Sequence, residues 1–180
     1  MRKSALFGFG LVVAALVALG LVVLSSASEA NGIRIHKDAY FFIKRQFIYL
    51  ALGLVVAAVT AAFDYHLWRD REVLSWLFFI FVVGLLLAVF LFPPINGSRR
   101  WLPLKVFSLQ PSELAKLAVV VMLSVRLDKA GWRVELFKKG ALESVIFIAI
   151  LAGLIISEPD FGATMVVGLV GFLLMFVAGV

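Results

Sequence analysis

The chain has 180 residues, 63% of them hydrophobic and 16% charged, with no cysteine and a formal net charge of +6. A soluble domain of this size cannot bury so much apolar surface in one core, and the apolar residues fall in blocks close to the length that crosses a hydrocarbon core. Disulfide and thiolate chemistry are excluded. The positive charge is spread over the connecting segments, with no basic stripe interleaved with aromatics. That sets nucleic acid aside and fits contact with anionic lipid headgroups or an anionic lipid-linked substrate. The fold class is all-α, a polytopic membrane bundle, because strand alternation is absent and only helices or closed barrels satisfy their backbones in lipid.

In chain order, the first apolar run, Ala5 to Leu24, is too long for the ~7–15-residue core of a signal peptide and reads as an uncleaved span. Six spans are expected in all, at 5–25, 47–63, 74–92, 111–127, 141–157 and 161–180, forming one membrane domain over 1–180. Polar loops join them at 26–46, 64–73, 93–110 and 128–140, with a minimal turn at 158–160. The last block runs to Val180 with no polar tail, which reads as a fragment of a longer membrane protein. Basic residues are nearly balanced between the two sides, so charge bias alone hardly orients the chain.

Parity places the 93–110 loop and the 158–160 turn on one side of the membrane, where two unusual stretches can meet. In "QPSELAK", Pro111 suits the first helical turn and Glu113 faces the positive end of the helix dipole. Glu113 and Lys116 share a helical face and can pair. A span of 111–127 is short for a ~30 Å core, which would put Lys116 at membrane depth, where ionisable groups usually line a polar path. The pair also fits a snorkelling lysine at an ordinary helix end. In "SEPDFGAT", Pro159 separates two helices and Asp160 falls in the first turn of the second, near Glu158. Both carboxylates are expected to face the same cavity as Lys116, or alternatively to sit in water at a capped hairpin. Between the two stretches, Asn96-Gly97 signals a turn, Arg99 and Arg100 are natural phosphate binders, and Trp101 offers a stacking face. Interfacial anchoring explains those residues equally well. His36 and His66 are isolated loop residues, and no His/Cys cluster, phosphate loop or nucleophile triad occurs in the sequence.

Taken together, "SSAS" (25–28), "YFFIKRQ" (40–46), "FDYHLWR" (63–69), "NGSRRWLPLKVFSLQPSELAKL" (96–117) and "EPDFGAT" (158–164) resemble the SEDS family of peptidoglycan glycosyltransferases (FtsW, RodA, SpoVE). "AYFFIKRQ" is more similar to the division members than to the elongation members, and Glu158 departs from the family's usual glutamine. The resemblance implies ten spans with both termini cytoplasmic, in the bacterial inner membrane. It also implies polymerisation of lipid II, an undecaprenyl diphosphate carrying a disaccharide-peptide, with a class B penicillin-binding protein as partner. The family's proposed catalytic aspartate lies in an extracellular loop after the seventh span, beyond Val180, so no catalytic residue is assigned in this segment. By the resemblance, Glu113, Lys116 and Asp160 support an outward cavity. Arg99, Arg100, Trp101, Gln110 and Ser112 are the expected substrate-binding residues. A divalent cation is compatible with this chemistry, but no metal ligand is assigned. A lipid-carrier flippase and a non-enzymatic division scaffold are the rival classes.

Overall fold

The structure is a computed structural model that describes residues 2–94, 98–103 and 108–180. The Asn96-Gly97 turn and Lys105 lie outside the described residues. The chain divides into two compact units, Met1–Asp64 and Tyr65–Val180.

The first unit is a helical hairpin of α1 (Arg2–His36) and α2 (Phe41–Ala62). Each helix contains a candidate membrane span, Phe7–Glu29 and Phe41–Ala62, and neither span buries a residue inside the protein. The long polar loop expected over 26–46 is mostly helix. At 35 residues α1 is about 50 Å long, well beyond a ~30 Å hydrocarbon core. Ser25 and Ser28 return their hydroxyls to the Val22 and Leu24 carbonyls, which lets the polar "SSAS" stretch continue the helix. The chain reverses at Lys37, whose φ of +56° is left-handed, with its N–H donating to the Ile33 carbonyl. Asp38 then starts α2, accepting from the Tyr40 N–H at 2.9 Å and from Lys44 Nζ at 2.7 Å. Those two partners, Lys44 first, hold the Asp38 carboxyl below its ordinary value.

The second unit packs three longer helices around a fourth. After the short α3 (His66–Asp70), α4 (Glu72–Ala88) is extended by a 3-10 turn to Leu91. A two-stranded antiparallel hairpin follows, β1 (Leu102–Pro103) and β2 (Ser108–Leu109), with Leu102 opposite Leu109. This small sheet was not expected; its strands are too short to show alternation in sequence. Then come α5 (Pro111–Ala130), α6 (Glu143–Ser157) and α7 (Phe161–Val177). Helices stand at all six expected positions, four of them long and apolar enough to cross a membrane. The α7 helix is shorter, at 17 residues.

Two expected lengths need correction, and both bear on depth. The α5 helix runs to Ala130, 20 residues or about 30 Å, so the chain does not force Lys116 into the bilayer by shortness. The α6 helix is entered through a π-helical turn, Lys138–Leu142, which makes a 20-residue apolar segment over Lys138–Ser157.

The core explains why α5 is central. Its buried positions, including Ser112, Ala115, Ala118, Val119, Met122 and Leu123, recur at helical spacing. The apolar ones among them meet Val82 and Leu86 of α4, Leu151 and Ile155 of α6 and Val167 of α7 in one cluster. Small residues on this face let the backbones approach, as in membrane bundles generally. Phe147 of α6 packs edge-on against Trp76 and Phe79 of α4, with ring centroids 5.5 and 5.3 Å apart. Outward-facing side chains such as Leu91, Phe172 and Phe176 stay exposed, as expected of a lipid-facing surface.

The 131–142 connection depends on one glycine. A Cβ at Gly140 would lie 1.8 Å from the Val134 carbonyl oxygen, a backbone atom that cannot swing away, whereas one at Gly153 in α6 meets nothing within 4 Å. Gly140→Ala should therefore lower thermal stability in detergent, while Gly153→Ala should be neutral or gain about 1 kcal/mol from helix propensity. Equal effects of the two substitutions would mean that the connection is not packed as described.

Candidate functional site

The two ends of the second unit carry different polar clusters, both reached by α5. At one end, Arg126 is shared by the first residues of two neighbouring helices. Its Nη1 donates to Glu72 Oε1 at 2.6 Å and its Nη2 to Glu143 Oε1 at 2.5 Å. Lys129 Nζ adds a contact to Glu72 Oε2 at 2.9 Å, and Arg69 pairs with Asp128 at 2.9 Å. Glu72 and Glu143 open α4 and α6, and Lys129 lies in the last turn of α5, so these three also complement helix dipoles. This network went unrecognised in sequence. The available signal was an acidic residue beginning each of two apolar blocks opposite a basic residue ending a third. A groove of about 390 Å³, lined among others by Tyr65, Trp68, Val121 and Asp128, lies against the same half of α5.

At the other end, Asp160 joins three segments. It is the N-cap of α7, with Oδ1 accepting from the Ala163 N–H at 3.2 Å. Its Oδ2 accepts from Gln110 Nε2 at 3.0 Å and from the Ser112 hydroxyl at 3.4 Å. Gln110 is the residue before α5 and Ser112 lies in its first turn. The third segment is the loop before β1. Arg100 Nε donates to the Glu158 carbonyl at 3.4 Å, its Nη2 donates to the Pro159 carbonyl, and its Nη1 stands 3.9 Å from Asp160 Oδ1. The parity argument thus anticipated which stretches meet.

It did not anticipate their burial. Glu158 and Asp160 were expected to face an open cavity or water, yet they are 0% and 8% exposed. The reason is Arg100, which draws the loop onto the 158–160 turn. Neither Glu158 carboxyl oxygen has a hydrogen-bond partner among the described residues. Burial first, and the Asp160 charge second, push this carboxyl up to about 7, only partly offset by Arg100.

Glu113 and Lys116 lie outside this enclosed joint and pair at 2.7 Å, the glutamate exposed and the lysine about a third so. Arg99 is exposed and Trp101 partly so, beside β1. Of the five residues expected to bind substrate, Arg99 and Trp101 therefore present a surface. Gln110, Ser112 and Arg100 are engaged in the joint, and Ser112 is fully buried. The His66 ring stacks on Tyr65 at 4.1 Å between centroids. Among the described residues no three His, Cys, Asp or Glu side chains converge as a metal site would require.

Fold and site together define a helical integral membrane protein with a guanidinium–carboxylate joint and a lysine–glutamate pair at one end of its bundle. The family profile of the FtsW/RodA/SpoVE cell cycle proteins matches residues 8–180. Similar proteins include probable peptidoglycan glycosyltransferases FtsW of Trichlorobacter lovleyi (35% identity over 94% of this chain) and Thioalkalivibrio sulfidiphilus (37% over 96%). The chain spans 44% and 43% of those relatives' lengths, respectively. Among solved structures, a chain of a peptidoglycan synthase complex that coordinates polymerization and crosslinking aligns with a TM-score of 0.78 and 28% identity, covering 96% of this chain and 47% of that one. A mutant of the Thermus thermophilus rod shape determining protein RodA aligns at 0.77 and 29%, covering 97% and 54%. The chain belongs to the FtsW/RodA/SpoVE family.

If Asp160 is the joint, removing its carboxylate should cost more than a lost helix cap. Asp160→Ala should destabilise the protein by about 1–2 kcal/mol for the cap alone, and further because the buried Ser112 hydroxyl loses its acceptor. Asp160→Asn, which keeps an acceptor oxygen, should cost less. Thermal unfolding in detergent at neutral pH measures the order, and equal losses would argue against the joint.

Proposed function

We propose that this chain belongs to a peptidoglycan glycosyltransferase of the division type, which polymerises lipid II at the outer face of the bacterial cytoplasmic membrane. The observation that carries the reading is the match to FtsW-type relatives along nearly the whole chain, together with a polar cluster at one bundle end built from the matching motifs. In this reading the N-terminus and the Arg126 end are cytoplasmic and the Asp160 end faces outward. A class B penicillin-binding protein is the partner, in keeping with the polymerising and crosslinking complex to which the fold is similar.

The reaction joins a sugar 4-hydroxyl to the anomeric carbon of another lipid II as its diphosphate leaves. It needs a base for the hydroxyl and cations for the departing charge. No residue of this segment is assigned as the base. The cationic work falls to side chains that present a surface, Lys116 and Arg99, with Trp101 placed to stack on a sugar or seat the loop in the headgroup layer. Arg100, Gln110 and Ser112 support them indirectly by fixing the loop and the start of α5 to the 158–160 turn. Glu113 holds Lys116 at 2.7 Å, which orients the ammonium and compensates its charge.

In the full-length protein with its partner, Lys116→Met should lower lipid II polymerisation roughly 10²-fold while leaving membrane insertion intact. Glu113→Gln should lower it in the same direction. Because the two act as a unit, the double variant should be little worse than the worse single one. Full activity in both single variants would remove the pair from the reaction, and lipid II scrambling without polymer would favour a transporter.

A further inference from the structure

The carboxyl of Glu158 is a group that the proposed reaction does not use. It is fully buried in the turn between α6 and α7, and both of its oxygens lack hydrogen-bond partners among the described residues. A buried carboxylate in that state is strongly disfavoured, whereas the neutral acid loses much less on leaving water. Its neighbours sharpen the choice. In the same turn the Asp160 carboxyl oxygens are already taken by the Ala163 N–H, Gln110 and Ser112. From the preceding loop comes Arg100, but its donors go to the main-chain carbonyls of Glu158 and Pro159, and its nearest approach to a carboxylate is the 3.9 Å to Asp160. The start of α5 offers Gln110 and Ser112, which do not titrate, while Glu113 and Lys116 engage each other. The last turn of α6 and the first turn of α7 carry no other ionisable side chain. One guanidinium thus stands between two carboxyl groups and is placed to serve one.

We propose that Glu158 is a positioning residue that works as a neutral carboxylic acid, keeping its proton so that Asp160 remains the only carboxylate on Arg100 and on the joint between α5 and α7. Losing the proton would set a second buried negative charge beside Asp160. That charge would draw Arg100 away from the Pro159 carbonyl and loosen the loop that carries Arg99 and Trp101. The effect on structure stands independently of any activity; its effect on catalysis rests on the glycosyltransferase reading.

The sign of the pH dependence follows from the raised value. A carboxyl whose folded value is about 7 against an ordinary 4.5 holds its proton in the folded state after the unfolded chain has lost it. The associated stability is present below the ordinary value and is lost as pH rises through about 7.

The experiment uses the full-length protein in detergent and in lipid nanodiscs, as wild type, Glu158→Gln and Glu158→Met. Melting temperature is followed from about pH 5 to pH 8.5, alongside the infrared carbonyl band of protonated carboxylic acids. The expected result is a gap in melting temperature that opens in favour of Glu158→Gln as pH rises and then levels off. A protonated-acid band present in wild type at pH 6 should be missing from both variants. Lipid II polymerisation by wild type should decline severalfold through neutral pH, where Glu158→Gln stays flat. Parallel melting profiles, or no band lost on substitution, would overturn the proposal. So would failure of both neutral variants to insert and fold, because that would mean the group is needed as a charge. A pH-dependent melting gap without polymerisation in any sample would uphold the role of Glu158 and sink the glycosyltransferase reading instead.

Discussion

The polar end of the bundle depends on one carboxylate that serves three segments. Asp160 starts α7 by capping it, holds the start of α5 through Gln110 and Ser112, and stands beside the arginine that folds the preceding loop onto the turn. Each tie alone is an ordinary hydrogen bond or ion pair of modest net value. Their convergence on one side chain makes the placement of α5 and α7 and the path of the loop a single problem. It also explains how Asp160 can be buried: its own oxygens are satisfied internally, as polar groups in a membrane protein usually are.

The bundle is held differently at its opposite end. There Arg126 ties the first residues of α4 and α6 to the C-terminal half of α5, and the charges remain partly exposed. Apolar packing fills the space between, on a stripe of small and branched residues along α5. With α5 fixed at both ends, Glu113 and Lys116 are carried on a helix that cannot easily rotate. A rigid helix lends precision to any chemistry their charges perform. In the proposed reaction that precision would matter at the departing diphosphate, where a cation displaced by an ångström loses much of its effect.

Much of this was legible in the sequence, for physical reasons. Six apolar blocks announced six helices because lipid leaves the backbone few other options. Pro111 and Asp160 marked helix starts, and Glu113 and Lys116 marked a pair, through rules that act within one turn. Parity alone said that the 93–110 loop and the 158–160 turn share a side. What remained hidden were events set by tertiary contact. The α1 helix runs on through "SSAS" because serine hydroxyls can bond to the preceding turn, which composition does not reveal. The close approach of Gly140 in the π-turn to the Val134 carbonyl is likewise a tertiary feature that leaves no mark in the sequence pattern. Gln110 and Ser112 were expected to contact substrate by the family resemblance. They point inward because Asp160, 50 and 48 residues later, supplies their acceptor.

The most direct test of the Asp160 joint is a double-mutant cycle between Gln110 and Asp160, read as unfolding free energy of the full-length protein. If the joint is real, Gln110→Ala and Asp160→Ala should couple by about 1 kcal/mol or more, since each substitution removes the partner of the other. Energies that simply add, to within about 0.3–0.5 kcal/mol, would mean that the two side chains do not depend on each other and that the joint does not hold α5 to α7.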